Sequence, residues 1–201
     1  MKRFLLCLSF IFAAASSAFA QHLTSEELQR ATDHLQKTSA AFLAATNGLS
    51  DAQLNFKAAP NRWSVAEVSE HIASAEDFLM GLITDKVMKA PGRAQPDDVK
   101  AIDTLVLQAI ADRSHKLQAP EPLIPVNRFQ TTAGSRDHFK ASRAKTIAFV
   151  KETEGLRDHA IDSPLGKQLD AYEWVLFISA HSERHTKQID EVKADASFPK
   201  S

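Results

Sequence analysis

Cysteine is nearly absent from this sequence of 201 residues, with Cys7 as its single member. With one cysteine, no disulfide within the chain and no cysteine-rich zinc site can form. The sequence also lacks an excess of either charge, since 24 Lys and Arg residues face 25 Asp and Glu residues. The two signs are interspersed, so no basic stripe or polybasic segment is present. We therefore expect no nucleic-acid partner and no electrostatic attachment to a membrane surface.

No apolar run is long enough to cross a bilayer comfortably. The longest, residues 4–15, is shorter than the roughly 20 residues that a spanning helix needs. It follows Lys2 and Arg3 and precedes the small-x-small sequence Ala18-Phe19-Ala20, a layout typical of a secretory signal peptide. We predict cleavage after Ala20, which would remove Cys7 and leave no stable membrane anchor. The mature protein is then expected in the periplasm or outside the cell; an uncleaved membrane anchor is the alternative.

The remaining residues 21–201 are predicted to form one helical domain. About 180 residues can enclose one sizeable core, and alternating apolar runs bounded by turn dipeptides are absent. Three helix starts combine a capping residue, an acid three positions later and flanking apolar residues. These starts are Thr24 with Glu27, Ser64 with Glu67, and Asp170 with Glu173.

Apolar periodicity extends these starts into four long helices, over residues 24–47, 64–88, 135–154 and 170–194. Gly48 can end the first in a left-handed conformation. In the third helix, Phe139, Ala144, Ile147 and Val150 are expected to be buried. A shorter helix is predicted at 97–116, followed by an extended, proline-rich connection at 119–132. The pattern predicts an all-α four-helix bundle, with an extra short helix in the connection between the second and third long helices.

Three histidines fall on apolar faces of the predicted helices. His181 and His185 lie four residues apart and project from one face, while His71 lies on the apolar face of the second long helix. Three imidazoles that leave a fourth position open are typical of catalytic zinc, and they suit nickel or iron as well. The alternative is that no metal binds: His71 would be a hydrogen-bonded core histidine. The spacing of His181 and His185 would be a coincidence, which is not improbable in a chain with eight histidines.

Candidate partners of these histidines are few. His138 is a candidate fourth contact, although the spacing does not require it, and the other histidines are expected to be solvated. Glu70 and Glu183 neighbour the three histidines in sequence, but adjacent helical positions point about 100° apart. Both are therefore poor candidates for a general base, and the sequence predicts none.

Two segments around the histidines resemble the signatures of the DinB-like (DinB/YfiT) superfamily. The first is the segment GLSDAQLNFKAAPNRWSVAEVSEHI, which contains Trp63, Glu67 and His71; the second is carried by Gly166, Trp174, Phe177, His181, Arg184 and His185. The resemblance implies a four-helix bundle in which His71, His181 and His185 bind a divalent metal. Zinc and nickel are the first candidates, with iron or manganese as alternatives. Trp63 and Glu67 are interpreted as structural, because capping and stapling explain them.

The resemblance leaves several functions open. One is hydrolysis by a metal-activated water, and another is thiol-dependent S-transfer. The second fits an exported protein poorly, since low-molecular-weight thiols are maintained in the reducing cytosol. A metal-binding or scaffold module without turnover is the third. If the proline-rich connection at 119–132 covers the metal and leaves a pocket, an enzyme is favoured over the module without turnover. DNA binding has no support, because no basic stripe is present. The sequence does not predict which small molecule is the substrate. A homodimer is possible.

Overall fold

A computed structural model describes residues 22–93, 98–116 and 118–200 of the chain. The predicted signal peptide and Asp97, the expected start of the short helix, lie outside the described residues. Within these ranges, no helix combines the length and the apolar character that crossing a bilayer requires.

The three predicted helix starts are confirmed. In each, the capping side chain accepts the backbone N–H three residues later, and the acid at that position accepts the N–H of the capping residue. Gly48 follows the first long helix with a φ of 69°, the left-handed conformation expected of it. The long helices therefore begin where local chemistry satisfies their free backbone donors.

The described chain forms six α-helices, two short strands and two 3₁₀ turns. The helices are α1 (Ser25–Ala45), α2 (Asp51–Asn55), α3 (Val65–Asp85), α4 (Val99–Ala111), α5 (Thr132–Glu152) and α6 (Ala171–Lys193). The 3₁₀ turns are Val87–Lys89 and Glu121–Leu123, and the strands are β1 (Ala160–Asp162) and β2 (Gln168–Asp170).

The long helices α1, α3, α5 and α6 form a four-helix bundle. Helix α6 packs against α1 and α3, and α5 packs against α3 and α1. The shorter helix α4 lies in the connection between α3 and α5 and packs on α6. The predicted fold class is confirmed, including the extra helix in that connection.

Several boundaries differ from prediction for identifiable reasons. Helix α5 begins at Thr132 rather than Ser135, because the hydroxyl of Thr131 accepts the N–H of Gly134 at 2.9 Å. The short helix α2 was not predicted, although the capping box of Ser50 and Gln53 marks its start. Helix α4 ends at Ala111, five residues before the predicted end at Lys116.

The bundle also carries one small antiparallel hairpin that the sequence did not predict. Strands β1 and β2 pair with Ile161 opposite Leu169. Each strand has three residues, too few to display the alternation that identifies a strand in a sequence. The hairpin leads the chain into α6, since β2 ends at the capping residue Asp170.

The centre of the bundle contains an ion pair. Arg143 and Glu76 are only 2% and 1% exposed, and Arg143 donates to both carboxylate oxygens of Glu76 at 2.8 Å. Arg143 also donates to the carbonyl of Leu35 at 2.7 Å and to the hydroxyl of Ser182 at 2.8 Å. One guanidinium thus connects α1, α3, α5 and α6. Ala144, predicted to be buried, is exposed, because the inner face of α5 carries Arg143 instead.

Candidate metal centre

The bundle brings His71, His181 and His185 together. His71 lies in the second turn of α3, and the other two lie on consecutive turns of α6, which packs against α3. The Nε2 atom of His71 lies 3.2 Å from the Nε2 atoms of both His181 and His185. His71 is 3% exposed, and the other two residues are partly buried.

Hydrogen bonds fix the tautomers of two of the rings. Nδ1 of His71 donates to the carbonyl oxygen of Leu123 at 2.9 Å, since a carbonyl can only accept. Nδ1 of His185 donates to Oε1 of Gln188 at 2.8 Å, and Arg113 donates to the same oxygen at 3.2 Å. Because the guanidinium of Arg113 can only donate, the Gln188 atom that it contacts is the amide oxygen rather than the nitrogen. In the neutral forms of His71 and His185, Nε2 therefore carries a lone pair.

Burial favours the neutral form of these imidazoles. It lowers the pKa of His71, an effect that the hydrogen bond to Leu123 opposes. Burial first, and then the neighbouring imidazoles, lower the pKa of His181 well below its usual range. The pKa of His185 is lowered in the same way, by burial and then by His71. Neutral imidazole is the form that binds a metal.

The arrangement fits a divalent ion. Two lone pairs, on His71 and His185, face each other at 3.2 Å with no proton to share, and a cation between them removes this repulsion. Tetrahedral zinc with Zn–N bonds of about 2.0–2.1 Å requires about 3.3 Å between ligand nitrogens. The ligand atoms of the three histidines all lie within 4.8 Å of one another. Within the described residues, no carboxylate joins this group.

Aromatic rings border the cluster on two sides. The ring of Trp63 lies 4.9 Å from that of His71, and Phe177 stacks on His181 at 6.5 Å between centroids. Trp63, interpreted from sequence as structural, thus also contacts an imidazole of the cluster. Glu67 acts as expected, closing the capping box with Ser64 and pairing with Lys57 at 2.7 Å.

The two carboxylates that were considered as bases have other partners. Glu70 accepts backbone N–H groups from the connection before α5, and Glu183 pairs with Lys187 at 2.8 Å and with His34 at 3.4 Å. His138, the candidate fourth contact, pairs instead with Asp77 at 2.5 Å. The expectation that the other histidines are solvated is wrong for His34, whose side chain is 20% exposed and bonds to Ser179.

Sequence reasoning missed the groups that orient the rings. Gln188 lies three residues after His185 on α6, so helical spacing could have identified it. The carbonyl of Leu123 gave no signal, since any residue carries one. The proline-rich connection therefore contacts the cluster directly. A cleft of about 750 Å³ adjoins this connection, but its lining includes Glu70 and Pro125 rather than the three imidazoles.

Comparisons with known proteins agree with this fold. The model of the DinB superfamily matches residues 34–189, a range that contains all three histidines. The chain belongs to the DinB superfamily.

Two individual proteins are similar to it. The chain is 29% identical over 149 residues to the uncharacterized protein YuaE of Bacillus subtilis (strain 168), covering 73% of this chain and 86% of that protein. The solved structure of YfiT from Bacillus subtilis matches with a TM-score of 0.54 at 14% identity, covering 89% of this chain and 93% of that one. YfiT is described as a probable metal-dependent hydrolase with an unusual four-helix bundle topology. At this identity the match shows the fold alone.

Proposed function

We propose that this protein is an exported metal-dependent hydrolase whose metal is bound by His71, His181 and His185. The observation that carries the proposal is the convergence of the three Nε2 atoms, with two neutral acceptors facing each other at 3.2 Å. Zinc or nickel suits three neutral imidazoles best, and iron or manganese are the alternatives. The description of YfiT as a probable metal-dependent hydrolase supports the same class.

The residues of this chain would bind and orient the ion. A divalent ion with a free fourth position supplies an activated water at neutral pH and polarises a carbonyl. The bonds to Leu123 and Gln188 hold the rings of His71 and His185 with their Nε2 atoms toward the ion. Trp63 and Phe177 limit the access of bulk water from their sides. His181 and His185 remain partly exposed, which supports entry of a small substrate.

One observation favours a non-catalytic metal-binding module instead. The cleft beside the connection is not lined by the three imidazoles, so it does not present a substrate to the ion directly. Thiol-dependent S-transfer remains the other alternative, since a thiol can occupy the same free position.

A substrate screen separates these functions. Untagged protein beginning at Gln21 is stripped with a chelator, reloaded with zinc, nickel, iron or manganese, and assayed with esters, amides and thiol acceptors. We expect ester or amide hydrolysis that requires the metal, disappears in His185→Ala and survives in the control His138→Ala. Thiol adduct formation without hydrolysis would indicate an S-transferase. Metal binding without any turnover would indicate the non-catalytic module.

Export is tested separately, by N-terminal sequencing of the protein from fractionated cells. We expect the periplasmic or secreted form to begin at Gln21. A chain that retains residues 1–20 in the membrane fraction would indicate an uncleaved anchor.

A further inference from the structure

Glu70 is a buried carboxylate that the proposed reaction does not use. It is 5% exposed and lies immediately before His71 in α3. Its oxygens accept three consecutive backbone N–H groups, from Val126 and Asn127 at 2.8 Å and from Arg128 at 3.2 Å. Bonds from backbone N–H groups to an ionised carboxylate are stronger than those between neutral partners. Glu70 therefore fastens this stretch of the connection to α3.

The same stretch of chain reaches the histidine cluster three residues earlier. The carbonyl of Leu123 accepts the Nδ1–H of His71 at 2.9 Å, and the Leu123 side chain is 5% exposed. Arg128 donates to the hydroxyl of Ser74 at 2.8 Å, one turn further along α3. Helix α3 thus holds the connection through three side chains, and one of them is the imidazole of His71.

In the turn beside Glu70, Val126 and Asn127 are exposed. The side chain of Val126 is 67% exposed, and Pro125 has no backbone N–H to donate. Asn127 has a φ of 64°, a left-handed conformation that asparagine adopts more readily than most L-residues. Its N–H is one of those bonded to Glu70. Loss of the carboxylate would remove three bonds that hold this turn, which begins three residues after Leu123.

We propose that Glu70 is a positioning residue for His71. By fixing residues 126–128, its carboxylate keeps the Leu123 carbonyl against Nδ1 of His71 and so keeps Nε2 directed into the histidine cluster. This inference rests on the proposed metal site, but it does not depend on hydrolysis. It also gives the connection between α4 and α5 a role in metal binding.

Metal affinity tests the proposal without an activity assay. Zinc dissociation constants are measured by competition with a chromophoric chelator for the wild type, Glu70→Ala and Glu70→Gln, and the visible spectrum of the cobalt-loaded protein is recorded for each. Partners of metal-bound histidines typically contribute 10- to 100-fold to affinity, so we expect about tenfold weaker zinc binding in Glu70→Ala. Glu70→Gln should weaken binding less, since its amide retains one acceptor oxygen. Both variants should change the cobalt absorption bands.

Thr24→Ala is the matched control. It removes the cap of α1 and should lower the urea midpoint of unfolding, yet leave zinc affinity and the cobalt spectrum unchanged. If Glu70→Ala does not fold, Glu70→Gln decides. Zinc affinities within twofold of the wild type, with an unchanged cobalt spectrum, would overturn the positioning role and leave the metal site standing. A wild type that binds no zinc would overturn both.

Discussion

Helix α6 contributes to two buried polar clusters of opposite character. The arginine cluster, at its start, comprises Arg93, Arg157, Glu27, Asp103, Asp170 and Glu173. The histidine cluster, near the middle of the helix, comprises His181 and His185 of α6 and His71 of α3. In the arginine cluster, Arg157 donates to Glu27, Asp103 and Asp170 at 2.7–3.1 Å, and Arg93 donates to Glu173 at 2.6 Å. In this cluster, guanidinium donors therefore face carboxylate acceptors.

In the histidine cluster, His71 and His185 do not match a donor with an acceptor. The Nδ1–H groups of His71 and His185 donate to Leu123 and Gln188, outside the cluster. The Nε2 atoms of these two residues are therefore acceptors that face each other without a donor between them. A bound ion is one feature that explains such an arrangement. The arginine cluster pairs its donors with acceptors from the protein itself, whereas a cation would satisfy the facing acceptors of the histidine cluster.

The largest expected effect comes from breaking the arginine cluster. The side chain of Arg157 is 6% exposed, and its removal leaves carboxylates buried without compensation. We expect Arg157→Ala to lower the free energy of unfolding by about 3–5 kcal/mol, measured by urea denaturation. The folded fraction should bind zinc as the wild type does. A loss below about 1 kcal/mol would mean that the cluster contributes little to stability.

Adding a metal should affect only the histidine cluster. A ligand that binds the native state alone raises its stability, by about 4 kcal/mol at 1,000 times the dissociation constant. We expect zinc to raise the free energy of unfolding of the wild type and of His138→Ala in this way, but not that of His185→Ala. Equal gains in all three proteins would place the zinc elsewhere.

Removing an orienting group should have a smaller effect. Gln188→Ala deprives Nδ1 of His185 of its acceptor. Loss of such a partner typically weakens metal binding about tenfold, or about 1.4 kcal/mol. Competition with a chromophoric chelator measures the change. Substitution of Glu191, which pairs with Arg113 at 2.6 Å without contacting an imidazole, should change affinity less.

The last expected effect is a change in pH dependence at the arginine cluster. Burial, and then the charge of Glu173, raise the pKa of Asp170 to about 7, against the opposing effect of Arg157. An acid whose pKa is higher in the folded state binds its proton more tightly there, so its contribution to stability falls as pH rises from about 4 to about 7. Asp170→Asn, which retains a capping side chain, should therefore gain stability relative to the wild type across this range. Urea denaturation at several pH values measures the difference, and a constant difference would contradict the raised pKa.

The sequence predicted the features that depend on local chemistry. The capping pairs at Thr24, Ser64 and Asp170 start their helices as expected, and helical spacing placed His181 and His185 on one face. The features it missed depend on distant parts of the chain. The inner face of α5 is polar because Arg143 meets Glu76 from another helix, which periodicity within α5 cannot show. The carbonyl of Leu123 and the strands β1 and β2 likewise become recognisable only after the chain has folded.

The three imidazoles that the fold brings together are proposed to bind one divalent ion. Elemental analysis of untagged protein purified from its native compartment tests this proposal most directly, with His185→Ala purified in parallel. We expect about one metal per chain in the wild type and less than about a tenth in His185→Ala. A wild type with less than about a tenth of a metal per chain, or a variant with as much metal as the wild type, would contradict it.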